Sequence, residues 1–366
     1  MKRYIAILFF LLSACAERSF PVLVEGSDQI GVANVVFAVT TRAEDAKVFF
    51  GVDRSETVSF GRYVVSVPPD RKPGDIRFPR RTPDPTRDFV LAGVDHFLDN
   101  RAFQSSLRRE FSKLPKQDRE ATIYVHGFNN TFADSIFRNA QMKNDLGIPG
   151  VPISFSWASS ANPLGYAYDS DSILIARDAL EKMILDVRQS GAEQIIIVAH
   201  SMGAFLTMET LRQMAIGSGR HPSDIIDGVI LISPDIDVDV FRSQAKRIGE
   251  LPEPFAIFIS ERDRALRLSA RLTGLTSRLG NLVDVERVSE FNVTLIDVTA
   301  FSDGDELNHF TVANSPSLLA LVSRVSEIDR AFNSDASVRS GLLPGTVLTV
   351  QNTTKIILSP TQNIQR

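Results

Sequence analysis

Six short apolar runs constrain this chain more than any other feature. They are ATIYVHG (121–127), VPISFSW (151–157), QIIIVA (194–199), GVILIS (228–233), FAIFIS (255–260) and VTLIDV (293–298). Each is too short for a buried helix and has no polar alternation, which is the pattern of a strand covered on both faces. Helical segments separate them. LDNRAFQSSLRREFSKL places Leu98, Phe103, Leu107 and Phe111 on one face, and TFADSIFRNAQMKNDLG stops at Gly147. DSILIARDALEKMILDVRQSG aligns Ile173, Ala176, Leu180, Ile184 and Val187. SMGAFLTMETLRQMAIG and, last, NSPSLLALVSRVSEIDRAF complete the set. Strand and helix in alternation imply right-handed crossovers and a mostly parallel sheet with helices on both faces, an α/β architecture.

The flanks read differently. MKR followed by the 11-residue apolar run YIAILFFLLSA has the form of a signal sequence, too short to span a bilayer. It ends in LSAC, which resembles the lipobox of bacterial lipoproteins and makes Cys15, the only cysteine, a lipidation site. The expected boundaries are a signal peptide at 1–14, a lipidated N-terminus and tether at 15–33, a main domain at 34–330 and a polar tail at 331–366. Within the domain, 34–90 is a strand region with runs at 34–40, 46–52 and 62–68. Six prolines in residues 68–88 mark an extended connector. The tail is Ser/Thr/Asn/Gln-rich and is expected to be partly disordered or to drape over the surface. A net charge of −4 gives no basic footprint for nucleic acid. A lipid anchor would hold the protein at the cell envelope, on the outer membrane where a cell has one, without a spanning helix.

In a parallel sheet, reactive groups collect beyond the carboxyl ends of the strands. QIIIVA is followed there by His200-Ser201-Met202-Gly203, close to the G-x-S-x-G nucleophile turn, with Ala199 where the first glycine would stand. A tight strand-to-helix turn needs small flanking residues, and Ala199 is small. Ser201 is the candidate nucleophile. ATIYV is followed by His126-Gly127-Phe128-Asn129-Asn130, a loop that can offer a backbone donor; the Phe128 and Met202 N–H groups form the candidate oxyanion hole. Of five histidines, four have other expected places, and His309 remains as general base. The acid is Asp263, with Glu261 as fallback and Asp235, backed by Asp237, one strand earlier. The order Ser, Asp, His is that of the α/β hydrolases.

The combination of YVHGFNN, ISFSW, AHSMG, LISPDID, ISERDRALRLS and a late LNHF resembles a bacterial family of α/β hydrolases of unknown function, esterase- or lipase-like. The resemblance covers residues 34–330. It implies the α/β-hydrolase fold and a Ser201, Asp263, His309 triad, but supplies no substrate; the expected substrate, a small-molecule or lipid ester, is read from the serine chemistry instead. The same triad would serve an acyltransferase or thioesterase, and a binding protein could keep the fold without turnover. No histidine pair has the spacing of a metal site, and no phosphate-binding glycine loop is present, so no cofactor is expected. The arginine-rich stretch 262–279 is read as surface helix packing its leucines on the core rather than as a lipid-binding element. Trp157 is read either as an acyl-pocket wall or as core. Oligomeric state is not expressed in the sequence.

Overall fold

The computed structural model describes residues 20–79, 82–217, 220–274, 277–301, 345–350 and 353–358. Among these residues eleven strands form one sheet: β1 Val32–Asp45, β2 Phe49–Val67, β3 Val90–Phe97, β4 Glu120–Val125, β5 Val151–Ser156, β6 Gln194–His200, β7 Gly228–Ile232, β8 Phe255–Ile259, β9 Val293–Asp297, β10 Gly345–Val350 and β11 Thr353–Leu358. Their order is β10-β11-β9-β8-β7-β6-β4-β5-β1-β2-β3. Every neighbouring pair from β1 through β11 along the sheet is parallel; β2 and β3 at one edge and β10 at the other are antiparallel. The expected mostly parallel sheet is present, with the chain reversing its direction of travel across the sheet around β4.

The six apolar runs are the strands β4 to β9. Strands β5, β7, β8 and β9 are buried at every position, so both faces are covered. Among the described residues, six helices supply the cover: α1 Asn100–Ser112, α2 Phe132–Leu146, α3 Tyr166–Gln189, α4 Met202–Gly217, α5 Val238–Ile248 and α6 Arg264–Leu272. Helix α1 starts at the Asp99 cap, whose carboxylate accepts from Ala102 N–H, and buries Phe103, Leu107 and Phe111. Leu98, expected on that face, precedes the cap and is fully exposed. Phe103 meets the rings of Phe37, Phe60 and Phe97, tying α1 to β1, β2 and β3. Helix α2 opens with a reciprocal Thr131–Asp134 capping box and ends at Gly147, whose φ of 58° suits glycine.

Several expectations are corrected. The runs at 46–52 and 62–68 are not separate strands: the turn falls before Phe49, and β2 continues to Val67 opposite β1. β3, VLAGVDHF, escapes a periodicity reading because Gly93, Asp95 and His96 break its apolar run. The tail is not simply draped, because β10 and β11 form a hairpin and β11 extends the sheet beside β9. Lys355 on β11 pairs at 3.0 Å with Asp297 at the end of β9, both buried. Leu268 and Leu272 on α6 do not pack on the core; they are more than half exposed, whereas Leu266 and Leu279 are buried. The signal sequence, Cys15, His309 and the expected last helix lie outside the described residues. Among the described residues no helix is long and apolar enough to cross a membrane.

Candidate active site

Ser201 sits where β6 gives way to α4, with φ at 53°. This left-handed conformation is costly for a residue with a Cβ and is kept only where the surroundings fix it. Three hydrogen bonds do so. Ser201 N–H donates to Ile232 O at 3.0 Å, and Ser201 O accepts from the N–H groups of Ala204 and Asp235 at 3.0 and 3.2 Å. The turn is thus held by the ends of β6 and β7 together. Ser201 and Ala199 are both buried.

Two glycines allow this turn to press on the loop after β4. A Cβ on Gly203 would stand impossibly close to His126 O and Val125 O. A Cβ on Gly127 would stand 2.6 Å from His200 Nδ1 and 2.7 Å from Ser201 Cβ. The HGF loop and the SMG turn therefore touch through their glycines, and no larger residue fits at either position. The contact brings the peptide before Phe128 beside the serine. Among the described residues, neither the Phe128 nor the Met202 N–H is donated to another group. Met202 opens α4, so its N–H also stands at the positive end of the helix dipole.

The loop side is held by buried polar side chains. Asp169, fully buried on the first turn of α3, accepts from Ser159 Oγ at 2.6 Å, Ser160 N–H at 2.6 Å and Asn129 N–H at 3.4 Å. Asn129 has φ at 58°, a conformation asparagine tolerates. Trp157 is core: it is fully buried, donates Nε1–H to His126 O at 2.7 Å and stacks on the His126 ring, 4.9 Å between centroids. Burial first, and Arg42 next, push the His126 imidazole down to about 3, so it is neutral at ordinary pH.

The candidate acids have different surroundings. Asp235 is saturated. Its oxygens accept from Ser269 Oγ at 2.6 and 2.8 Å and from Tyr166 OH at 3.1 Å, and Arg278 Nε lies 3.2 Å away. Burial, then the Asp235 charge, raise the Tyr166 hydroxyl to about 12, which keeps it a donor. Asp263 is fully buried just after β8 and caps α6, accepting from Leu266 N–H at 3.0 Å. Glu261 is half-buried beside it, its N–H bonded to Thr299 Oγ1. Asp237 caps α5.

Four histidines fall in the described residues. His96 on β3 lies among the rings of Phe49, Phe50 and Tyr63. His126 is locked as above. The His200 ring faces Gly127. His221 lies in a turn ahead of β7, its Nε2 2.7 Å from Ile248 O. Asp169 and Arg42 escaped sequence reading. Arg42 follows NVVFAVT, so the rule of searching beyond strand ends reaches it once β1 is known to run parallel to β5. Among the described residues no group of three or more His, Cys, Asp or Glu could hold a metal ion.

The parallel sheet, the strained serine at the β6–α4 turn and the glycine loop after β4 define the α/β-hydrolase fold. The chain belongs to the α/β hydrolases of unknown function designated DUF900, whose family model matches residues 99–325. No curated protein matches the sequence. Among solved structures, the chain is similar to lipase B of Aspergillus fumigatus at 12% identity, with 56% of this chain and 51% of that one covered and a TM-score of 0.38. It thus spans about half the length of that lipase. An esterase from Pyrococcus furiosus matches at 14% identity over 85% of this chain and 97% of that one, TM-score 0.36. One from Pyrobaculum calidifontis matches at 12% over 63% and 94%, TM-score 0.35.

Proposed function

We propose that the protein is a serine hydrolase that cleaves carboxylic esters through an acyl-enzyme on Ser201. The observation that carries this reading is the left-handed serine at a strand-to-helix turn, packed glycine to glycine against a neighbouring loop. A helix cap needs neither the strain nor the steric squeeze; a nucleophile turn needs both.

In the proposed reaction, Ser201 Oγ attacks the ester carbonyl while His309 Nε2 takes its proton. The carbonyl oxygen gains charge and is held by the Phe128 and Met202 N–H groups. His309 then protonates the leaving alcohol, and the acyl-enzyme is released by water along the same route. Asp263 orients the imidazole and stabilises its charged form. Asp263 is favoured over Asp235 because Asp235 already neutralises Arg278 and accepts from Ser269 and Tyr166, leaving little capacity for an imidazole. A thiol or second alcohol in place of water would make the same site a thioesterase or transferase.

The N-terminal LSAC motif supports lipidation at Cys15 and residence at the cell envelope, so that esters presented at a membrane are the proposed substrates. The test is labelling of the purified protein by a fluorophosphonate probe. Wild type should label and Ser201→Ala should not; equal labelling of both, or none of wild type, removes the nucleophile.

A further inference from the structure

The feature that stands out beyond the nucleophile is a buried arginine that forms no ion pair with a carboxylate among the described residues. Arg42 on β1 has no exposed surface, and among the described residues none forms an ion pair with it. Its donors go to neutral groups from three separate segments. Nε donates to Ser156 Oγ at 3.0 Å. Nη1 donates to Gly51 O and Ser159 O, each at 3.0 Å. Nη2 donates to Asn130 O at 2.8 Å and lies 3.4 Å from His126 Nε2. The β1–β2 ladder slips register on both sides of Arg42, between Thr40 and Arg42 and again between Arg42 and Glu44. Such irregularities re-aim side chains and are common beside active sites. Burial lowers the guanidinium only to about 10, against Asp134 and Asp169, so it stays charged.

The contact with His126 has a consequence for the loop. His126 Nδ1 lies 2.9 Å from Gly127 O, and Nε2 lies 3.1 Å from Trp157 O. A neutral imidazole has one proton, so only one of these carbonyls receives a hydrogen bond. Arg42 decides which. A guanidinium can only donate, so for the 3.4 Å contact to be a hydrogen bond Nε2 has to accept, which places the proton on Nδ1, facing Gly127 O. The Gly127 carbonyl and the Phe128 N–H belong to one planar trans peptide and point in opposite directions. Fixing the carbonyl toward His126 fixes the N–H away from it.

We infer that Arg42 is a positioning residue: it selects the Nδ1–H form of His126 and so aims the Phe128 N–H at the carbonyl oxygen of the substrate. The catalytic half of this inference rests on the reading of Ser201 as nucleophile; the tautomer half does not. Without Arg42, Nε2–H turns to Trp157 O, and the Nδ1 lone pair then faces the Gly127 carbonyl. The peptide loses its anchor, and a donor to the transition state is lost while ester binding is little changed.

The test is long-range proton–nitrogen NMR on the nitrogen-15-labelled full chain. The His126 signals are those that none of His96→Gln, His200→Gln, His221→Gln and His309→Gln removes. Wild type should carry the proton on Nδ1, Arg42→Met should move it to Nε2, and Arg42→Lys, which keeps a donor, should hold it on Nδ1. In ester hydrolysis Arg42→Met should lower kcat by about 100- to 1000-fold, the loss of one oxyanion donor. KM should stay within about threefold, and Arg42→Lys should recover part of the rate. An Nε2–H His126 in wild type overturns the inference. So does a folded Arg42→Met with the wild-type tautomer or wild-type kcat. If Arg42→Met does not fold, the wild-type and Arg42→Lys spectra decide. If Ser201→Ala still labels, the hydrolase reading falls, and the spectra judge Arg42 independently.

Discussion

The two halves of the site are built by opposite means. The serine side is held by backbone: three main-chain hydrogen bonds, a strained φ and the Gly203 contact. The loop side is held by side chains brought from far along the chain, Arg42 from β1, Asp169 from α3 and Trp157 from the end of β5. A backbone device is compact in sequence, and mutation breaks it sterically. A side-chain device is spread over more than 120 residues, and mutation breaks it electrostatically. The difference separates what each substitution should do.

The largest expected effect is on chemistry with the fold intact. Asp263→Asn should lower kcat by about 10,000-fold, the cost of a wrongly oriented imidazole. Asp235→Asn should instead destabilise by about 3–5 kcal/mol, because it leaves the buried Arg278 without a counter-charge. Urea unfolding beside ester kinetics separates the two, and the reverse pattern would make Asp235 the acid. Next comes the meeting point of the halves. Gly127→Ala must push the loop after β4 away from His200 and Ser201 and should cost about 100- to 1000-fold in kcat.

Acid should weaken the side-chain half. The native His126 imidazole resists protonation down to about 3, whereas in the unfolded chain it titrates near 6.5. Between those values the unfolded state binds the extra proton, so stability falls as pH falls, by at most about 1.4 kcal/mol per pH unit from this residue. Thermal unfolding from pH 7 to 4 measures it, and His126→Asn should flatten the slope. Outside both halves the effects are on stability alone. Leu107→Ala should cost about 2–5 kcal/mol, while Leu98→Ser, a change at a fully exposed side chain, should stay within about 0.5 kcal/mol.

The same contrast explains what could be read without coordinates. Strands β4 to β9 were legible because burial on both faces leaves short runs that are mostly apolar and lack polar alternation. The serine turn and HGF loop were legible because their requirement, small residues at fixed offsets, is local. Strand β3 was not, because an edge strand tolerates Gly93, Asp95 and His96. Strand β11 was not, because its threonines and Lys355 find partners only after the sheet exists: Thr353 Oγ1 donates to Val288 O and Phe291 O, and Lys355 pairs with Asp297. Arg42 and Asp169 were hidden for the same reason. A buried charge looks like a surface charge until the groups that satisfy it are placed around it.

In the proposed reaction Ser201 carries the acyl group during turnover. Rapid mixing of the protein with a p-nitrophenyl ester, quenching in acid and peptide mass mapping test it directly. A burst of nitrophenol should appear together with an acyl adduct on the peptide containing Ser201, both absent in Ser201→Ala. Turnover with the acyl group on another residue, or unimpaired in Ser201→Ala, would contradict it.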